Sequence, residues 1–176
     1  RRWAVGRGDE TLTRHILGSG DEGLFSKLVF NFVDAGKLQF VFRSLCAKGW
    51  NAAVEKILKH PGKGDFILSK DDEGKTGFIK ACNHGEINVV KLLLKQRLSN
   101  DIIVQQDNSG KTGFIEACSD GHINVVELLL KQQLRNDIIV QQDKSEEAGF
   151  IHAYLNKRED IVEALLNLPN KDEMLN

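Results

Sequence analysis

The chain has 176 residues, of which 41% are hydrophobic and 28% charged, a composition typical of a folded protein rather than a disordered one. Lysine and arginine total 24 against 25 acidic residues, and a net charge of −1 gives no general attraction to nucleic acid or anionic lipid. No apolar run reaches the roughly 20 residues that span a bilayer and no signal peptide opens the chain, so we expect neither nucleic acid nor a membrane as partner.

Four phenylalanines mark a repeat in the chain, because they recur at intervals of 36 residues. They are Phe42, Phe78, Phe114 and Phe150. Glycine, cysteine and valine recur with the same period, and residues 73–108 and 109–144 differ at only nine of their 36 positions. Such self-similarity is the sequence signature of a repeat protein. The period therefore defines the domain organisation.

The register of this repeat divides the chain into five units. In chain order, we predict a degenerate N-terminal capping unit at 1–36, full units at 37–72, 73–108 and 109–144, and a C-terminal capping unit at 145–176. In the last unit, Ala148 and Lys157 replace the threonine and the glycine of earlier units. Terminal repeats face water on one side, and this loosening is typical of a cap. The sequence has no initiator methionine, and we expect it to be part of a longer protein.

Each full unit predicts two short helices and a connector, as residues 73–108 illustrate. Thr76 is a candidate N-cap for "GFIKACNH", and Gly85 ends this first helix at a position that favours positive φ. The second helix, "INVVKLLLK", has apolar residues at helical spacing. No unit of this size buries its own apolar face. We therefore predict an all-α solenoid of stacked helix-turn-helix units, with hairpin-like loops between the repeats.

The connector contains a β-branched segment, "DIIVQQD", which recurs unchanged at 101–107 and 137–143. The residues that follow it are typical of turns. Two interpretations remain open. Either these segments pack or pair with one another across the stack, or they form a ladder of apolar edges to which a partner adds a strand.

The pattern resembles the ankyrin repeat. The string "GHINVVELLLK" at 121–131 is the most specific match, and the full frame occurs twice. Its positions are Gly74, Thr76, Phe78, Ala81, Gly85, Val90, Leu92, Leu93 and Leu94, and then Gly110, Thr112, Phe114, Ala117, Gly121, Val126, Leu128, Leu129 and Leu130. The resemblance covers about residues 37 to 170. It implies a module that binds another protein through a concave surface, with no catalysis and no cofactor of its own.

The chain departs from the family pattern in two ways. The Thr-Pro-Leu-His opening of the family is "TGFI" at 76–79, so cohesion between repeats is expected to depend more on packing. The period is 36 residues whereas 33 is usual for the family, and the surplus falls between Leu94 and Asp107. We therefore expect a longer loop between repeats than the family has.

Motifs for other chemistry are weak. The Gly-Lys-Thr of residues 74–76 lacks the glycine that a phosphate-binding loop needs five positions earlier, where Ser69 stands. Cysteines 36 residues apart would lie about 10 Å apart in a helical stack, too far for a disulfide or a shared zinc ion. We predict that they are small core residues, which also fits a reducing compartment. The five histidines show no metal-binding spacing, and we expect no metal site.

The nine positions that differ between residues 73–108 and 109–144, here called the twin units, point to a binding surface. A core does not tolerate the exchange of lysine for glutamate, as in Lys80 and Glu116, so we expect all nine positions to face water. Neutral drift of exposed residues is the alternative. In the ankyrin family, the hairpin tips and the ends of the first helices form the concave surface. The resemblance therefore assigns protein-binding roles to Asp72, Glu73, Lys75, Asn83, His84, Asn108, Ser109, Lys111, Ser119, Asp120 and Lys144.

Trp50 is a further candidate for protein binding. It follows Gly49, the residue that ends a first helix, and an exposed tryptophan is a frequent anchor of interfaces. In the alternative interpretation, its ring covers the first well-formed helix pair. The two interpretations differ in the burial of the ring.

We therefore expect a cytoplasmic, monomeric scaffold that binds another protein and is not an enzyme. Host-directed effectors of intracellular bacteria often carry such arrays, which would place the protein in a host cytosol. The alternative is the targeting or regulatory arm of a larger enzyme, with its catalytic domain outside this sequence. The mixed charge of the surface predicts specificity by charge pattern.

Overall fold

A computed structural model describes residues 18, 20–23, 35–59, 66–96, 98–132 and 135–168. Ten α-helices lie entirely within these ranges. They are α1 (Ala35–Ala47), α2 (Asn51–Leu58), α3 (Gly77–Asn83), α4 (Ile87–Leu94), α5 (Ser99–Ile103), α6 (Gly113–Asp120), α7 (Ile123–Leu130), α8 (Arg135–Val140), α9 (Gly149–Leu155) and α10 (Glu159–Leu166). Within the described ranges there is no sheet, only isolated bridges from Gln106 to Thr112 and from Gln142 to Ala148. The all-α prediction is confirmed, and most of the predicted capping unit at 1–36 lies outside the described residues.

Threonine starts the first helices of the two twin units. The Oγ1 atom of Thr76 accepts a hydrogen bond from the backbone N–H of Ile79, and Thr112 does the same for Ile115, both at 3.2 Å. Such an N-cap satisfies a backbone donor that the helix itself leaves unpaired. Ala148 stands at the equivalent position before α9 and offers no side-chain cap. The predicted N-cap at Thr76 is confirmed.

The first helices end at a residue with positive φ. Gly85 and Gly121 adopt φ values of 72° and 85°, as predicted for helix-ending glycines. In the last unit this residue is Lys157, whose φ of 58° lies in the left-handed region that disfavours a side chain. The last helix pair is therefore strained at its turn.

Replacing Lys157 with glycine is expected to raise the free energy of unfolding by about 1 kcal/mol, because glycine adopts this backbone conformation without steric cost. Urea denaturation followed by far-ultraviolet circular dichroism measures the change. Lys131→Gly is the matched control, since Lys131 is an exposed helix-ending lysine with ordinary right-handed geometry. Glycine there should lower stability. Equal effects of the two substitutions would contradict the explanation.

The helices form two rows. The first helices α1, α3, α6 and α9 pack in succession, and the second helices α2, α4, α7 and α10 form a parallel row. Each first helix contributes a phenylalanine to the core, and Phe42, Phe78 and Phe114 are at most 1% exposed. Apolar side chains from both rows form one continuous core. This arrangement is a solenoid whose stability comes from contacts between neighbouring units.

The three cysteines are core residues, as predicted. Cys46, Cys82 and Cys118 are fully buried, and burial raises the pKa of each thiol above its ordinary value. A Cβ atom added to Gly113 would lie 2.9 Å from the sulfur of Cys82 and 2.8 Å from the ring of Phe78. Only glycine fits at Gly113, because the phenylalanine and cysteine of the preceding unit leave no room for a side chain. The absence of a side chain allows α6 to pack closely against α3.

The "DIIV" segments are helical rather than extended. Helix α5 and helix α8 occupy the surplus residues that predicted a longer loop. Ile102, Ile103, Ile138 and Ile139 are all at most 2% exposed, so they pack in the core. The strand-addition interpretation is wrong, because a helical backbone has no free edge that could pair with a strand. The packing interpretation agrees with this burial.

Candidate functional site

A tight turn, here called a hairpin tip, precedes each of α3, α6 and α9. The tips comprise residues 71–74, 107–110 and 143–146. The Oδ1 atom of Asp71 accepts hydrogen bonds from the backbone N–H groups of Glu73 (3.0 Å) and Lys75 (2.8 Å), and Asp107 and Asp143 make equivalent bonds. Such side-chain bonds to the following backbone fix a turn. Each tip therefore presents its side chains from a fixed backbone.

Consecutive tips are also bonded to one another. The backbone N–H of Asn108 donates to the carbonyl of Glu73, and that of Lys144 donates to the carbonyl of Ser109, both at 2.9 Å. Gly110 has a φ of 82°, and a Cβ atom there would lie 2.8 Å from the backbone nitrogen of Lys144. Glycine is thus required where one tip contacts the next. The three tips form a continuous ledge along the stack.

Side-chain contacts to the tip aspartates join two of the tips to their own helices. Lys80 Nζ lies 2.7 Å from Asp71 Oδ2, and His152 Nε2 lies 2.9 Å from Asp143 Oδ2. Burial alone would raise the pKa of both aspartates. Hydrogen bonds from these partners and from backbone N–H groups outweigh it and hold the pKa of each below its ordinary value. Both carboxylates are therefore charged and serve the structure.

His152, Asp143 and Glu147 have ligand atoms within 4.8 Å of one another, which is close enough to hold a metal ion. The distance from His152 Nε2 to Glu147 Oε2 is 3.7 Å. However, His152 occupies the position that Lys80 occupies in an earlier unit, where an ammonium group pairs with the tip aspartate. The imidazole of His152 contacts the tip aspartate of its own unit in the same way. We interpret this cluster as a structural contact rather than a metal centre.

The unit at 109–144 uses a different pairing. Glu116 stands where the units on either side have Lys80 and His152, and its carboxylate lies 3.0 Å from Lys75 Nζ of the preceding unit. Burial lowers the pKa of Lys75, but the hydrogen bond and charge of Glu116, with the nearby acidic side chains of the two tips, raise it above its ordinary value. These contacts join the twin units.

A second polar contact crosses the same boundary between the twin units. Asn83 Nδ2 donates a hydrogen bond to Asp120 Oδ2. Both residues lie at the ends of first helices, so this bond joins α3 to α6. The end of one first helix is therefore tied to the end of the next.

The expectation that all nine differing positions face water is wrong at Glu116, which is 6% exposed. Its charge is tolerated because Lys75 neutralises it. His122, at another of the nine positions, is half-buried, and its Nε2 lies 2.8 Å from the carbonyl oxygen of Asn83. Differences between the twins therefore also specify how one unit joins the next.

The predicted binding residues fall into three groups. Seven are exposed on the tips or at the ends of the first helices: Asp72, Glu73, His84, Asn108, Ser109, Asp120 and Lys144. Four are half-buried: Lys75, Asn83, Lys111 and Ser119. Lys75 and Asn83 already have partners in the neighbouring unit. Trp50 is 8% exposed, so its ring packs in the core, in agreement with the interpretation that it covers the first helix pair.

A groove of about 800 Å³ lies between α1, the first tip and α3. Asp72, Glu73 and His84 line it, so the structure brings three of the predicted residues together. We call this cavity the N-terminal groove. Eight of its eleven lining residues were not predicted from the sequence as binding residues, among them Phe40, Arg43, Lys48, Lys70 and Lys80.

Two of these residues had a signal in the sequence. Lys80 stands at one of the nine positions that differ between the twin units. Lys48 precedes His84 by 36 residues and His84 precedes Asp120 by 36, so the three share a repeat position. Phe40 had no such signal. It lies in α1, which has 13 residues whereas α3 has seven, and the first unit therefore presents a helical turn where later units have a tip.

An apolar surface lies at the other end of the described stack. Tyr154 and Leu155 are 66% and 59% exposed, and Leu166 is 38% exposed. Tyr154 occupies the position of the buried cysteines of earlier units, where the next unit packs. Among the residues that the structure describes, this end of the stack is uncovered.

None of the described helices has the length and apolar character needed to cross a membrane. No curated protein matches the chain. A family model described as ankyrin repeats, in three copies, matches residues 3–141. That match spans most of the sequence and agrees with the two stacked rows of short helices and the hairpin tips. The chain belongs to the ankyrin-repeat family.

Proposed function

We propose that this chain binds a partner protein through the surface formed by its hairpin tips and the ends of its first helices. Ankyrin repeats are generally protein–protein interaction modules and are typically not catalytic. The observation that carries the proposal is the N-terminal groove, in which Asp72, Glu73 and His84 converge. Backbone hydrogen bonds fix the tips before any partner arrives. Binding to a preorganised surface loses little conformational entropy.

Affinity capture from cell lysate, scored by mass spectrometry, tests the proposal. A tip variant, Asp72→Lys with Lys144→Glu, reverses two exposed charges on the predicted surface. Its control, Glu127→Lys with Lys91→Glu, reverses one acidic and one basic charge at exposed positions of the second helices. We expect a protein that is retained by the wild type and by the control but lost by the folded tip variant. Equal retention by the tip variant would contradict the proposal.

The identity of the captured protein separates the larger roles in which this module would act. A host-directed bacterial effector captures a host protein. The targeting or regulatory arm of an enzyme captures a substrate or a regulator of the attached catalytic domain. Both roles depend on the same binding step.

A further inference from the structure

Four basic and three acidic side chains line the N-terminal groove, so the described residues leave it an excess of one positive charge. Elsewhere along the ledge, Lys75 pairs with Glu116, and within the groove itself Lys80 pairs with Asp71. In contrast, the structure shows no carboxylate paired with Arg43, Lys48 or Lys70 among the residues that it describes. Their side chains line one cavity.

The polar contacts that two of these groups make leave most of their donors available. Arg43 Nη1 donates to Ser69 Oγ at 2.8 Å, and Lys70 Nζ donates to the carbonyl of Gln106 at 2.6 Å. Both acceptors are neutral, so neither contact cancels the positive charge. A guanidinium has five N–H donors and an ammonium has three, and carboxylates are their strongest partners.

An aromatic side chain lies among these charges. Phe40 is 43% exposed, although Phe42, two residues further along the same helix, is fully buried. Phe40 lines the same groove as Arg43 and Lys48. A large apolar side chain in the same groove as cations that have no carboxylate partner among the described residues offers a place for an apolar residue of a ligand, flanked by sites for acidic residues.

We propose that the N-terminal groove binds an extended acidic segment of the partner, with an apolar side chain against Phe40 and carboxylates on Arg43, Lys48 and Lys70. This inference rests on the proposed function and specifies its partner. A cavity of about 800 Å³ fits a short segment rather than a broad folded surface. Asp72 and Glu73 also line the groove, so its excess of positive charge is small and suits a few carboxylates better than a nucleic acid, whose phosphates carry negative charge at every residue.

Selection from a phage-displayed random dodecapeptide library tests the inference. The wild-type chain should enrich peptides in which aspartate and glutamate flank an apolar residue. A synthetic, fluorescein-labelled copy of an enriched peptide then serves as the probe in fluorescence anisotropy. Its affinity should fall as salt is added, because the charges concerned are accessible to solvent.

Matched charge reversals locate the binding site. Lys48→Glu with Lys70→Glu changes two exposed groove lysines, and Lys91→Glu with Lys95→Glu changes two exposed lysines of α4 and its end. We expect the groove variant to bind the peptide at least about tenfold more weakly than the wild type, and the control to bind within about twofold of it. Circular dichroism verifies that both variants are folded.

The outcomes separate the two proposals. Enriched peptides that lose affinity for the groove variant but are neutral or basic would overturn the acidic partner and leave the binding surface supported. Peptides that bind the groove variant as well as the wild type would overturn the groove assignment. The acidic segment would also be overturned if no peptide is enriched, or if a single-stranded oligodeoxynucleotide binds the wild type and loses affinity for the groove variant. Affinity capture tests the proposed function independently.

Discussion

Replacing Phe114 with alanine is expected to lower the free energy of unfolding by ~3–5 kcal/mol, the usual cost of removing a buried phenylalanine ring. Phe114 is 1% exposed, and its ring lies directly against Gly149 of the next unit. The substitution opens a cavity within its own unit and also removes a contact between units. Because a solenoid depends on such interfaces, we expect a broader unfolding transition in which the last unit unfolds first.

Phe150→Ala is the matched control. Phe150 shares the repeat position of Phe114 but is only half-buried, because it lies in the last described unit. Its replacement should cost clearly less and leave the transition cooperative. Urea denaturation followed by circular dichroism, together with tryptophan fluorescence, compares the two variants. Similar losses in the free energy of unfolding would show that packing against the next unit does not explain the contribution of Phe114 to stability.

The parts of the fold that depend on local chemistry could be predicted from the sequence. Thr76 and Gly85 delimit a helix because a cap and a left-handed turn need those residue types. The phenylalanine and cysteine positions identified the core, since a period of 36 residues repeats the same packing environment. These features follow from residue type and spacing alone.

The "DIIV" segments show where local preference failed. Isoleucine and valine favour strands, yet Ile102 and Ile103 lie in a helix whose apolar side is buried in the core. Both adjacent isoleucines must be buried, and a short helical turn buries them without leaving an exposed edge strand. Tertiary packing therefore decided the conformation of the surplus residues.

The candidate site was predicted only in part, because it depends on which side chains meet across unit boundaries. The tip residues Asp72 and Glu73 were accessible to prediction through the family frame. The groove that they line is completed by Phe40, which belongs to the first full unit and has no equivalent in the later tips. The burial of Glu116 was likewise hidden, since its partner Lys75 lies 41 residues earlier.

Exchanging Glu116 for the lysine of its twin position is expected to lower the free energy of unfolding by about 2–3 kcal/mol. Lys75 would lose the buried carboxylate of Glu116, keep only the more distant and exposed Glu73, and face a second cation. Side-chain exposures of 7% for Glu116 and 20% for Lys75 leave little water to screen that repulsion. Glu127→Lys is the control: it makes the same exchange between twins at an exposed position and should change stability by less than about 0.5 kcal/mol.

A double-mutant cycle isolates the interaction between these two side chains. Lys75→Glu combined with Glu116→Lys restores opposite charges across the boundary and should recover part of the stability that Glu116→Lys loses. Recovery will be incomplete, because the glutamate introduced in place of Lys75 would lie near Glu73 and Asp107, whose charges favour a cation there.

A small loss of stability in Glu116→Lys would show that the contact across the boundary between the twin units matters little. If Glu116→Lys proves as mild as Glu127→Lys, the new lysine has paired with Asp107, as Lys80 pairs with Asp71, and the contact between twin units is dispensable. A clear loss with partial rescue would instead establish that the twin units, alike at most positions, are joined by the pair of Lys75 and Glu116, whose carboxylate only the second unit carries.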